Sequence, residues 1–353
     1  MYLNHDFAEP LALETDLSPE EALAKLYQGL SLTAGEAQCL FEALVAGHLP
    51  EPAIAAMLVA LRLKGETAEE MIGAARALRA ADAPFDRPSY LFADSCGTGG
   101  DGSCSINVST AVAFVAAACG LPVAKHGNRS VTSRCGSADV LEQLGARLDV
   151  SAEVSRRALD ETGICFLFAP NYHPGLRHAG PVRRALKVRT IMNMLGPCVN
   201  PAEPDVQLLG VADPGRLEPV ARTLAALGVR RALVVHGAGL DEVALHAESQ
   251  AVRVMDGTFE HLTITPEAAG LARAPVEGLK GGGPEENAQR LKALLKGCGS
   301  RIETDIVALN TGTLLMAAGL CSSLREGTDL AAQALASGGA FTRLTAFVEA
   351  THA

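Results

Sequence analysis

No stretch of this 353-residue chain is apolar for long enough to span a bilayer, which takes roughly 18 residues; residues 113–124 come nearest and are too short. The opening residues, Met1-Tyr-Leu-Asn-His-Asp6, have neither a basic start nor an apolar run, so no secretory leader is expected. Basic residues are outnumbered, 30 Lys and Arg against 40 Asp and Glu, for a net charge of −10. That balance argues against broad contact with nucleic-acid phosphates but leaves room for a local basic pocket. The nine cysteines include no Cys-x-x-Cys pair, and Cys119 and Cys165 sit inside apolar segments. Free thiols in a reducing cytoplasm are therefore expected. Cys96 and Cys104 have no base partner evident in the sequence and read as small fillers. No Gly-Lys-Ser/Thr closes a glycine-rich turn, which excludes a P-loop.

What is present suits a soluble α/β protein large enough for two domains, with 48 % apolar and 20 % charged residues. Up to about residue 85 the chain reads as successive helices. Ser18-Pro-Glu-Glu21 combines an N-cap, a proline at the first helical position and a glutamate at the third. Thr33-Ala-Gly-Glu36 and Thr67-Ala-Glu-Glu70 repeat the capping box, and each precedes apolar residues at helical spacing. Gly47 and Gly65 read as helix stops. Residues 84–88 hold prolines at both ends and mark a hinge.

Beyond the hinge the pattern becomes strand, glycine-bearing turn, helix. Strands are expected at 91–93, 121–124, 164–168, 206–211 and 232–235, with helices between them, so the sheet should be mostly parallel. Residues 252–264, turning at Asp256-Gly257, read as an antiparallel hairpin. Gly281-Gly-Gly-Pro284 reads as a flexible loop, and the remainder as helices packed on the sheet.

The most informative stretch is Asp94-Ser-Cys-Gly-Thr-Gly-Gly-Asp-Gly102 and the segment Ile106-Asn-Val-Ser-Thr110 that leads into an apolar helix. Gly97, Gly99, Gly100 and Gly102 allow close backbone approach and positive φ, so several amides can converge on one anion. The following helix adds its free N–H groups and the positive end of its dipole. A phosphate or pyrophosphate cradle follows. Gly97, Gly99 and Gly102 also satisfy Gly-x-Gly-x-x-Gly, but a dinucleotide site needs an acid about 20 residues on. That region is basic here, Lys125-His-Gly-Asn-Arg129. Ligands of parallel sheets bind beyond the carboxyl ends of the strands. Polar clusters fall there again, at 125–129, in Ala169-Pro-Asn-Tyr-His-Pro174 and in His236-Gly-Ala-Gly-Leu-Asp-Glu242.

Taken in order, Gly97-Thr-Gly-Gly-Asp-Gly102, Asn107-Val-Ser-Thr110, Lys125-His-Gly-Asn-Arg129, Gly136-Ser-Ala-Asp139, Ala169-Pro170 with His173-Pro174, Val182-Arg-Arg184, Arg189-Thr190, Asn193-Met-Leu-Gly-Pro197 and Asp241-Glu242 resemble the anthranilate phosphoribosyltransferase family over nearly the whole length. The resemblance implies a small all-helical domain, residues 1–88 with 180–200 packing back onto it. It also implies a larger α/β domain, 89–179 and 201–353, around a central, mostly parallel sheet flanked by helices. The implied reaction is transfer of 5-phosphoribosyl from phosphoribosyl pyrophosphate to the anthranilate amine, with Mg²⁺, in tryptophan synthesis. A cytoplasmic homodimer joined through the small domain is implied too, with possible association with anthranilate synthase and no nucleic-acid or membrane partner.

By that resemblance Gly97, Thr98, Gly99, Gly100, Asp101, Ser105, Asn107, Ser109, Thr110, Lys125 and Ser137 would hold phosphoribosyl pyrophosphate, Asp101 bracing the turn and Lys125 offering a mobile charge. Gly97, His126, Asn128, Pro170, His173 and Arg183 would meet anthranilate, the Arg183 fork suiting a carboxylate. Arg184 reads as a surface charge. Ser109, Asp241 and Glu242 would serve Mg²⁺ through oxygen. His126 is the one candidate base, and it reads first as a wall or orienting group. Two positions depart from the family pattern: Lys187 where glycine is usual, and Cys104-Ser105 in place of a basic-Thr pair. Rival readings are a pyrimidine nucleoside phosphorylase of the same fold, a nucleic-acid-binding sister group, and a dinucleotide oxidoreductase.

Overall fold

The computed structural model describes residues 17–130 and 134–353, so the opening segment 1–16, with the leader reading and the start of the expected helical domain, lies outside the described residues. Among the described residues four helices come first: α1 (Pro19–Tyr27), α2 (Ala34–Val45), α3 (Glu51–Lys64) and α4 (Ala68–Ala80). Ser18, Thr33 and Thr67 each accept from the backbone three residues on, and Glu21, Glu36 and Glu70 bond back to the cap amide. Each box satisfies two N–H groups that a helix start leaves bare. Glu70 does more. It is fully buried, yet it accepts from Leu32 N, Thr67 N and Lys64 Nζ, so its burial is offset and it ties three segments together.

The larger domain follows: β1 (Ala93–Gly97), α5 (Val108–Ala118), β2 (Val123–Gly127), α6 (Ser137–Gln143), α7 (Ala152–Thr162), β3 (Ile164–Phe168), α8 (Ala169–Tyr172), α9 (Gly180–Leu186), α10 (Ile191–Cys198), β4 (Val206–Gly210), α11 (Leu217–Ala226) and β5 (Arg231–His236). Then come β6 (Ser249–Met255), β7 (Thr258–Ile264), α12 (Pro284–Leu295), α13 (Arg301–Ala318), α14 (Leu324–Ala336) and α15 (Gly339–Ala350). The seven strands lie in the order β3-β2-β1-β4-β5-β6-β7. β1 to β5 are parallel, and the hairpin β6–β7 extends the sheet antiparallel. The chain leaves β1 toward β2 and β3 and returns on the other side as β4. Such a reversal opens a crevice at the strand ends between β1 and β4.

Nine of the eleven residues of α5 are buried, because it runs between the sheet and the C-terminal helices α13 and α15. Phe114 on α5 meets Phe347 on α15 edge to face, with ring centroids 5.8 Å apart. On the other face of the sheet, α11 covers β5 and β6 and also touches α4. The apolar core of the helical domain is therefore continuous with that face. The segment α9–α10 packs on α3 and α4, with Val182, Ile191, Met192 and Leu195 buried in the same core as Leu58 and Leu61.

Two expected strands are displaced. β1 runs on to Gly97 and β2 to Gly127, so Asp94, Ser95, Lys125 and His126 lie inside strands rather than in the loops beyond them. Several of these polar groups find partners, although Ser95 Oγ and Asp94 Oδ1 are buried without one among the described residues. Asn200 donates to Asp94 Oδ2 at 2.9 Å, and Lys125 Nζ donates to the Ser95 carbonyl. The stretch at 281–284 is not a free loop either. Gly281 N donates to Cys104 O at 2.7 Å, Ile106 N to Leu279 O at 2.9 Å, and Ser105 bridges to Lys280.

Candidate active site

A cavity of about 360 Å³ opens at the carboxyl ends of β1 and β2. Its floor is the glycine loop after β1, and its flank is the N-terminus of α5. Within that loop Thr98 N donates to Gly210 O at 2.9 Å and Gly99 N to Asp241 Oδ2 at 2.6 Å. Asp101 Oδ1 accepts from the backbone and hydroxyl of Ser103, so it braces the turn. Among the described residues no group accepts from the amides of Gly100 and Asp101, both of which line the cavity and stay open to a ligand. Arg189, from the stretch between α9 and α10, reaches across to donate to the Gly100 carbonyl at 3.0 Å.

Of the residues proposed for the donor, Gly97 through Asp101, Ser105, Asn107, Ser109, Thr110, Lys125 and Ser137 all line this one cavity. So do Asn128, His126, His173 and Arg183 from the acceptor set. Pro170 does not; it is exposed at the start of the four-residue helix α8. Lys125 is 3 % exposed and held by the Ser95 carbonyl and Ser109 Oγ. It is a fixed charge beneath the cavity, not a mobile one. Ser137 Oγ donates to Asn128 O at 3.4 Å. Asp139 accepts from the amides of Gly136 and Ser130.

Asp241 and Glu242 follow the tight turn after β5 and reach the cavity from below. Removal from water, then the neighbouring Asp101 charge, pushes Asp241 up to about 7. The same removal and the Asp241 charge hold Glu242 well above the usual carboxylate range, although Lys125 and the Ser109 amide oppose the shift. Two half-buried carboxylates at adjacent positions on the cavity wall are a hard oxygen donor set that a divalent cation would neutralise. No group of three or more His, Cys, Asp or Glu side chains is placed to hold a metal among the described residues. The pair with Ser109 therefore fits Mg²⁺ as a partial shell that substrate oxygens complete, the usual arrangement for this ion.

Arg183 is the complementary group. Burial lowers its pKa, and its guanidinium has no carboxylate partner among the described residues. A desolvated, unpaired guanidinium on a cavity wall is an anion site in waiting. Arg184, beside it, is exposed.

The chain matches the glycosyl transferase family α/β domain over residues 89–341 and the helical bundle domain of the same family over residues 20–81. It is 61 % identical to an anthranilate phosphoribosyltransferase of Sorangium cellulosum over 323 residues, 92 % of this chain and 93 % of that one. The chain belongs to the anthranilate phosphoribosyltransferase family. Among solved structures, that of the Thermus thermophilus enzyme superposes with a TM-score of 0.89 at 47 % identity, covering 94 % of this chain and 99 % of that one. The Saccharomyces cerevisiae enzyme in complex with phosphoribosyl pyrophosphate and Mg superposes with a TM-score of 0.88 at 25 % identity, covering 96 % and 99 %. The expected fold class, a helical domain and a larger domain around a mostly parallel sheet, agrees with this family and with the structure. No helix of the described residues is long and apolar enough to cross a membrane.

Two asparagines that support the site, Asn287 in the cavity lining and Asn310 behind it, had no motif to announce them. Asn287 on α12 is 3 % exposed, accepts from Gly282 N and donates to Asn107 Oδ1 at 3.0 Å. Asn310 on α13 clamps both backbone groups of Val243, next to Glu242, at 2.8 and 2.9 Å. Each is a lone asparagine in a helix far along the chain from its partner, and only burial without exposure to solvent marks it out.

Proposed function

We propose that this protein transfers the 5-phosphoribosyl group of phosphoribosyl pyrophosphate to the amine of anthranilate and releases pyrophosphate. The observation that carries the reading is one cavity with two kinds of anion site. The glycine loop and the α5 N-terminus suit a diphosphate, and unpaired Arg183 suits an aromatic carboxylate. In the reaction the C1′–O bond to pyrophosphate breaks as the amine nitrogen bonds to C1′. The protein's task is then to place two anions and stabilise the charge that grows on the leaving group. The unbonded amides of Gly100 and Asp101 and the fixed charge of Lys125 line the same cavity and would meet that leaving group. Asn107, Ser109, Thr110 and Ser137 supply short polar contacts to phosphate or ribose. Arg183 sets the acceptor, with Asn128, His126 and His173 beside it.

Asp241, Glu242 and Ser109 would hold Mg²⁺, which when bound neutralises charge on the diphosphate. We place the domains at 1–88, with 180–200 packing back onto it, and at 89–179 with 201–353; the packing of α9–α10 on α3 and α4 supports the return of 180–200. A homodimer through the helical domain is supported by Tyr27, Leu30 and Leu63, exposed by 56, 49 and 81 %. The nine free cysteines suit the cytoplasm. Association with an anthranilate synthase, the source of the acceptor, rests on the family resemblance.

The test is direct. Protein, Mg²⁺, phosphoribosyl pyrophosphate and anthranilate are mixed, and loss of anthranilate fluorescence is followed with pyrophosphate release. Equal rates for both are expected; no loss of fluorescence overturns the reading. Turnover of pyrimidine nucleosides with phosphate in place of these substrates would favour the phosphorylase instead.

A further inference from the structure

Asp82 stands just past the last turn of α4, where the chain enters the hinge, and it does not line the cavity. Its Oδ1 meets Nδ1 of His173. Nε2 of His173 lies 3.0 Å from Nε2 of His126, the rings meeting edge to face at 70°. The Gly196 carbonyl lies on the other side of the His126 ring, where it would accept from it. Groups from the hinge, the end of α8, β2 and α10 thus stand in one row, and its two histidines line the cavity. Next to Asp82, Ala83 N donates to Tyr172 O at 2.7 Å, so the hinge backbone is fixed to the same segment that carries His173.

The order of hydrogens along this row is determined by its ends. A carbonyl only accepts, so the His126 ring turns its N–H toward Gly196 and presents a bare Nε2. That nitrogen needs a donor, which is Nε2–H of His173. Nδ1 of His173 then shares a single proton with Asp82. Burial, followed by the charge of His173, pushes His126 well below its ordinary pKa of 6.5, in keeping with a neutral ring. Both of its nitrogens are occupied, so it is not placed to take a proton from an acceptor amine.

Asp82 is costly where it stands. Its side chain is 9 % exposed, and Oδ2 is buried without a hydrogen-bond partner among the described residues. Glu70, the buried carboxylate of the same domain, has three donors; Asp82 has one. A half-satisfied buried carboxylate is a poor structural element, and the one bond it makes leads to the cavity.

We infer that Asp82 is a positioning residue for the acceptor side of the cavity: through His173 it fixes the tautomer and the plane of the His126 ring against which the aromatic acceptor lies. The inference deepens the transferase reading and rests on it. It also couples the angle of the hinge to the acceptor wall, because Asp82 belongs to the helical domain and both histidines to the α/β domain.

The histidine rings are read first, in the intact wild-type protein, by ¹⁵N NMR of labelled histidine at neutral pH. A neutral His126 protonated on Nδ1 is expected; protonation on Nε2 overturns that order. Asp82→Leu should then raise the acceptor KM about tenfold, the size expected for one charged hydrogen bond, with the donor KM unchanged. Asp82→Asn can turn its amide N–H to His173 Nδ1 and leave the rest of the order intact, so it should restore the acceptor KM and the His126 signals. Equal changes in both KM values, or an Asn variant as poor as Leu, would show that Asp82 merely supports the fold. If Asp82→Leu does not fold, the Asn variant and the wild-type spectra still decide. Absence of turnover in the wild type defeats the transferase reading itself, whereas the ring signals test Asp82 without any turnover.

Discussion

Gly210 lies directly beside Gly97 on the neighbouring strand, and the two share one neighbour, Asp241. A Cβ on Gly210 would stand 1.6 Å from the Asp241 carbonyl oxygen, and one on Gly97 would stand 2.2 Å from its Oδ2. The acidic pair can enter the cavity floor only because two adjacent strands end without side chains. Gly210→Ala should therefore displace Asp241 and Glu242 and raise the Mg²⁺ concentration needed for pyrophosphate binding at least about tenfold, as loss of outer support does at metal sites. Calorimetric titration, with circular dichroism as the check on folding, reads this. Coincident titrations for variant and wild type would refute the role of the glycine pair.

Arg183→Ala should raise the acceptor KM by about a hundredfold, since a bidentate guanidinium–carboxylate contact is lost from a site largely out of water. The donor KM should stay within twofold of the wild type, an expectation of the same origin. Arg184→Ala, at an exposed neighbour, should leave both constants alone. Steady-state kinetics with each substrate varied in turn separates these cases. Parallel rises in the two KM values would take Arg183 out of the acceptor site.

Lys187 closes α9 with φ 52°, a left-handed conformation that costs a side-chain-bearing residue roughly 1 kcal/mol or more. Lys187→Gly relieves that strain and gives back part of it as chain entropy, so a net gain of about 0.5–1 kcal/mol in stability is expected. Urea denaturation of both proteins measures it. An unchanged or lower midpoint would mean that the lysine side chain makes up for its backbone.

His126 links stability to pH. Its folded pKa is depressed by burial, so below about 6.5 the unfolded chain takes up a proton that the native ring refuses, and stability falls as pH falls. His126→Gln lacks this linkage. The stability lead of the wild type over that variant should be largest above neutral pH and shrink as the pH drops through about 6, by about 1.4 kcal/mol per unit at most. Denaturation curves across that range show it, and a constant lead would contradict a neutral native His126.

Much of the site was legible because its polar residues cluster at strand ends, where an α/β sheet places ligands. The glycine loop, Lys125, His126, Arg183 and the Asp241-Glu242 pair could all be named from the chain alone, and the structure brings them around one cavity. The strand limits were harder. Asp94 and Ser95 do not look like the interior of a strand until Asn200, 106 residues away, is seen to satisfy Asp94. Local periodicity holds no trace of such a partner. Asp82 was hidden for the same reason, since its histidine lies 91 residues downstream. The departures at Cys104 and Lys187 were visible as residue types, but their positive φ angles were not.

The return of α9–α10 to the N-terminal helices bears on how the polypeptide is made. When α4 has left the ribosome, the surface that will receive Ile191, Met192 and Leu195 is still bare, and more than a hundred further residues must be translated before the segment that covers it emerges. The first helices to be synthesised are thus among the last to be finished, and a nascent chain stalled before residue 191 would carry an open greasy face that chaperones must shield.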